Sequence, residues 1–163
     1  MPRLVHPRTA VLVLISSFLA APSSPAAPAE QYVAGHYVAA SPRPEVRPAS
    51  EAARLARQTA AAHPGAFVVR GRGESMNPLY PSGTLLVVQP LPYDSLQRGM
   101  TVMFRSAANH SITHVLVART SDGWRTAGLN NRRADYLCVN ATNIAGVVVA
   151  AFKESDQRSI ALR

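Results

Sequence analysis

From residue 66 onward the chain alternates between short apolar runs and clusters of turn residues. The runs are AFVVR (66–70), TLLVVQ (84–89), TVMFR (101–105), THVLVA (113–118), GWRTAG (123–128), YLCVN (136–140) and IAGVVVAAF (144–152). Pro81-Ser82-Gly83, Pro90-Leu91-Pro92, Arg98-Gly99, Ser121-Asp122-Gly123 and Asn130-Asn131 separate them. Runs this short, alternating or wholly apolar and punctuated by glycine, proline and asparagine, predict strands joined by tight turns. The fold class expected is therefore mainly β, a compact antiparallel domain over 66–152 with a tail at 153–163. Upstream, EAARLARQTAAAH (51–63) has the alanine, leucine and arginine content of a short helix, and Pro64-Gly65 ends it. Residues 22–50 are rich in alanine, proline and serine and poor in large apolar groups, which predicts a flexible spacer, so that 30–65 precedes the domain without belonging to it.

The first residues change the picture of where the protein works. Arg3 and Arg8 precede an apolar stretch from Ala10 to Ala21, and Ala27-Pro28-Ala29 supplies small residues before Glu30. That order is an export signal over 1–29, too short and too interrupted by Ser16 and Ser17 for a comfortable membrane span, although retention as a short anchor stays open. The destination expected is periplasm, cell envelope or medium. Apolar residues make up 47% of the 163-residue chain and charged ones 16%, the balance of a globular body. Residues 1–29 hold two arginines and no acid, so the formal charge of +8 becomes +6 without them. The arginines are scattered rather than clustered among aromatics, which argues against a nucleic-acid partner and leaves room for peripheral contact with anionic lipid. Cys138 is the single cysteine, which excludes an intrachain disulfide and a cysteine-type metal site and reads as a small core residue on a strand.

Candidate chemistry centres on GRGESMNPLYPSG (71–83), where Ser75 stands between glycines and prolines. A serine hydroxyl needs a base at neutral pH, and an imidazole, with an ordinary pKa of about 6.5, can take its proton and return it to a leaving amine. Lys153 is the only lysine and lies past the last apolar run. His114 lies within a strand candidate, His110 in a polar connection, and His36 and His63 in the upstream segments. Read alone, Ser75 is also an ordinary turn serine, His114 a half-buried strand histidine, and Asp135 a surface partner of Arg132 or Arg133.

The order of blocks GESMNPLYPSGTLLVV, LQRGMTVMFR, SITHVLVA, GWRTAGLNNRRAD and NIAGVVV resembles the signal peptidase I family of serine proteases over about residues 66–152. The resemblance implies a signal-peptidase/LexA-like β fold with Ser75 as nucleophile. It places His114 where the histidine-base branch, typified by endoplasmic-reticulum and archaeal enzymes, has its base, and Asp135 on that branch's orienting aspartate. It further implies a peptide or preprotein substrate cut after small residues, and no metal or organic cofactor. Gly83-Thr84, Gly99-Met100 and Gly128-Leu129 keep the family's glycines without the aspartates that follow them, and Val115 stands where the histidine branch favours arginine. Those departures keep a second expectation in play, a binding module with this fold and no chemistry. Self-cleaving repressors, related in fold, would instead call for a lysine base and a DNA-binding helix-turn-helix ahead of the protease.

Overall fold

The computed structural model describes residues 31–155. Nine strands and one helix follow in the order β1 (Tyr32–Val33), β2 (His36–Tyr37), β3 (Glu45–Arg47), α1 (Ala49–Ala62), β4 (Phe67–Arg70), β5 (Leu85–Gln89), β6 (Thr101–Arg105), β7 (Ser111–Thr120), β8 (Gly123–Ala127) and β9 (Ile144–Glu154). A one-turn 3-10 helix at Tyr93–Ser95 links β5 to β6. The main sheet runs β4-β5-β9-β6-β7-β8, antiparallel at each of these pairings, and β3 joins the end of β9 in parallel.

β9 is the spine. Its first residues pair with β6, the stretch from Val147 to Phe152 pairs with β5, and Phe152 to Glu154 pair with β3. One long apolar strand can serve three partners because the registers shift at Val87/Val88 and Met103/Phe104, which bends the sheet around the core.

β5 shows why a continuous apolar run was needed. Leu86 and Val88 face a core containing Met76, Leu79, Tyr80 and Val115, whereas Leu85 and Val87 face Ala52, Ala56 and Phe152 beneath α1. Alternate side chains leave opposite faces of a strand, so a strand covered on both sides must be apolar throughout. A further core of Val102, Phe104, Leu116, Trp124 and Val139 fills the β6–β8 end.

Four expectations need correction. The spacer expected to be flexible is packed from residue 31 onward: Val33 and Val38 are buried, and the Ser41 hydroxyl donates to the Gly99 carbonyl at 2.7 Å. The helix belongs to the same body, because Ala52 and Ala56 have no exposed surface and their small side chains let α1 lie close against β5 and β9. Few large apolar groups are required for such contacts, which is why composition misread them. The export signal expected over 1–29 falls outside the described residues. The run YLCVN forms no strand: Val139 exchanges two main-chain hydrogen bonds with Trp124, each of 2.8 Å, and the rest is loop. Lys153, expected past the last strand, lies on β9 and is exposed.

Ala56→Leu is expected to destabilise the domain by about 1–3 kcal/mol through overpacking against β5 and β9. Urea denaturation measures it; a change below ~0.5 kcal/mol would mean that α1 is only loosely attached.

Candidate active site

The sequence places Ser75 on a turn and His114 on a strand, and the fold brings them to one cavity. Ser75 opens a tight turn after Gly73, whose φ of +83° is a conformation that side chains other than glycine's rarely adopt. The turn continues through a cis Asn77-Pro78 bond and is closed by the Tyr80 N–H donating to the Met76 carbonyl at 2.9 Å. Met76, Leu79 and Tyr80 are buried beneath it against Leu86 and Val88, so the turn stands on the core with Ser75 half-buried above. Burial raises the Tyr80 phenol's pKa above its ordinary value, and its hydroxyl donates to the Pro42 carbonyl at 2.7 Å. The segment misread as spacer thus helps to seat the Ser75 turn.

A second loop grips the turn from the other side. The Asn130 N–H donates to the Ser75 carbonyl at 2.8 Å. Gly128 lies so close that a Cβ there would sit 2.8 Å from that carbonyl oxygen and 2.7 Å from the Asn131 side-chain amide. The glycine kept in Gly128-Leu129-Asn130-Asn131 therefore serves close approach of two main chains, and that requirement does not depend on the missing aspartate.

His114 is buried on β7 with its ring edge-to-face on Phe104 at 6.4 Å between centroids. Its Nδ1 donates to Asp135 Oδ2 at 2.6 Å. Asp135 thus pairs with the imidazole, and among the described residues it pairs with neither Arg132 nor Arg133. Thr126 donates its hydroxyl to the same oxygen at 2.6 Å. With Nδ1 occupied, Nε2 is the nitrogen left to exchange a proton.

Ser75, Met76, Leu86, Met103, Thr113 and His114 line a cavity of about 380 Å³, with Arg70 and Arg72 at its rim. Ser75 Oγ makes no hydrogen bond among the described residues. The N–H groups of Ser75 and Met76 likewise donate to no main-chain carbonyl among the described residues.

The other histidines among the described residues lie elsewhere. His110 is exposed between β6 and β7, His63 caps α1 with its ring bonded to the Thr59 carbonyl at 2.8 Å, and His36 lies on β2. Asp122 is an exposed turn residue. Cys138 is half-buried in a loop rather than in a core strand. Thr126 was missed by sequence reasoning, since a threonine in a strand candidate carries no signal that its partner lies nine residues on.

Burial is the largest influence on the Asp135 carboxyl and raises its pKa. The hydrogen bonds from His114 and Thr126, together with attraction to the imidazole when charged, outweigh it and hold Asp135 below the usual carboxylate range. A carboxyl with a depressed folded-state pKa contributes stability that is fully present above its unfolded value of about 3.9 and lost as pH falls through the folded value. Wild type is therefore expected to lose stability relative to Asp135→Asn as pH drops below about 4, read from urea midpoints at pH 7 and pH 3. A constant difference between the two would mean that Asp135 has no special stabilisation.

A family model described as Peptidase S24-like matches residues 31–149. A search of curated proteins finds no match. The matched region begins at the packed N-terminal segment and takes in Ser75, His114 and Asp135.

Proposed function

Since this chain belongs to the Peptidase S24-like family, we propose that it is a serine endopeptidase in which Ser75 attacks, His114 moves the proton and Asp135 orients His114. The observation that carries the proposal is the 2.6 Å contact from His114 Nδ1 to Asp135 Oδ2. It fixes the tautomer with Nε2 free, which is the form a general base needs.

The steps follow from these positions. His114 Nε2 takes the Ser75 Oγ proton as Oγ bonds to the scissile carbonyl carbon, and the imidazolium is stabilised by Asp135. The oxyanion accepts hydrogen bonds from the Ser75 and Met76 N–H groups; with Gly73 two residues before the serine, no side-chain hydroxyl contributes there. Collapse breaks the C–N bond, and His114 returns its proton to the leaving amine. Water, deprotonated by His114, then releases the acyl group and restores Ser75.

The fold is shared by signal-peptidase-like and self-cleaving enzymes. The absence of a lysine from the cavity lining and the arginine-led apolar leader both favour the first. We therefore propose cleavage of extended segments after small residues, by an exported protein that makes peripheral contact with membrane. The test is incubation of the full chain with peptides bearing Ala-x-Ala sites, in detergent or lipid, followed by mass spectrometry of peptide and protein. Cut peptide with intact protein supports the proposal. Cleavage of the chain itself favours self-processing, and intact peptide and protein favour a binding module.

A further inference from the structure

The acid of the site is held by a residue to which no role has been given. Thr126 lies on β8 opposite Leu116 of β7, and it has no exposed surface. Cross-strand partners point to the same face, and His114 lies two residues before Leu116, so Thr126 and His114 are diagonal neighbours on one side of the sheet. Asp135 lies over both. Its Oδ2 accepts the His114 Nδ1 proton and the Thr126 Oγ1 proton, each at 2.6 Å, and its own N–H donates to the Thr126 carbonyl at 2.8 Å.

Three features separate this from an ordinary buried threonine. A buried hydroxyl needs an acceptor, and most find a main-chain carbonyl; this one donates to an ionised carboxylate, which makes the bond short and strong. Thr126 also contacts Asp135 twice, once through its side chain and once through its main chain, which fixes both the position of Asp135 and the rotation of its carboxylate. And Asp135 sits on an irregular loop, where Arg132, Arg133 and Tyr136 are exposed, Tyr136 by 94%. Without an anchor on a strand, a loop carboxylate would swing into solvent, and the imidazole would lose its partner.

We propose that Thr126 is a positioning residue of the catalytic site: its hydroxyl and carbonyl clamp Asp135 so that one carboxylate oxygen faces His114 Nδ1. The clamp extends along the same segment, because Asn130, four residues later, holds the Ser75 carbonyl. Residues 126–130 thereby tie the acid and the nucleophile to the end of a single strand. The catalytic consequence rests on the peptidase reading, whereas the clamp itself does not.

The test compares Thr126→Val, which keeps shape and removes the hydroxyl, with Thr126→Ser, which keeps the hydroxyl and removes the methyl. Two readouts are used. Proton NMR follows the His114 Nδ1 proton, whose short bond to a carboxylate shifts it downfield. Kinetics on the Ala-x-Ala peptide give kcat, KM and the pH profile. Thr126→Val is expected to lose or displace the downfield resonance, to lower kcat about tenfold at unchanged KM, and to move the acid limb to lower pH, since the imidazolium is less well supported. Thr126→Ser is expected to retain the resonance and most of kcat.

An unchanged resonance and pH profile in Thr126→Val, with only lower stability, would overturn the proposal and make Thr126 a packing residue. So would a Thr126→Ser variant as impaired as Thr126→Val. If wild type cuts no peptide at all, the peptidase reading fails, yet the resonance still decides whether Thr126 holds the pair.

Discussion

Ser75→Ala is expected to reduce cleavage of an Ala-x-Ala peptide by roughly three orders of magnitude or more, to the uncatalysed background. The loss should come with little change in folding, because Ser75 is half-buried and its hydroxyl bonds to nothing among the described residues. His114→Ala should give a loss of similar size. The two groups act as one unit, so the double variant should be no slower than either single one. Lys153→Ala supplies the control: Lys153 is exposed on β9 and absent from the cavity lining, and its removal should leave turnover unchanged. Peptide cleavage followed by mass spectrometry, beside circular dichroism for folding, checks all four. Loss of activity in Lys153→Ala with an intact fold would overturn the histidine assignment.

Asp135→Asn is expected to lower turnover by about two to four orders of magnitude with little change in KM. An asparagine fits the same space and can still meet Thr126, but its amide can present a donor to Nδ1. The ring then prefers the tautomer with the proton on Nε2, where it cannot accept one from Ser75. The imidazolium also loses the charge that supports it. Asp122→Asn, in an exposed turn, should change turnover less than twofold. Steady-state kinetics separates these outcomes; near-normal turnover in Asp135→Asn would reduce the site to Ser75 and His114.

The residues that the fold gathers here, as distinct from their roles, could be named before the fold was known, and for a specific reason. Ser75 and His114 sit in blocks whose order along the chain carries the information, and Asp135 follows by counting from Gly128. Six of the seven strand candidates formed for an equally local reason, since pleated alternation and turn residues are written in neighbouring positions. What escaped depends on distant positions. YLCVN has strand composition, but its backbone is committed to a loop that carries Asp135 over His114 and bonds β8 only at two separate points, Asp135 and Val139. The alanine- and proline-rich stretch before residue 66 looked unable to pack because its contacts come from small side chains and from main chain added to β9. Thr126 could not be found from sequence, because its acceptor lies beyond a turn of no fixed period.

The most direct measurement of the central claim is the mass of the protein after brief mixing with an activated ester of a small amino acid, followed by peptide mapping. The Ser75 and His114 assignment requires one acyl group on Ser75, absent from Ser75→Ala and from His114→Ala. An adduct that maps instead to Cys138 or Lys153, or a Ser75 that stays unmodified while the peptide is cut, would contradict it.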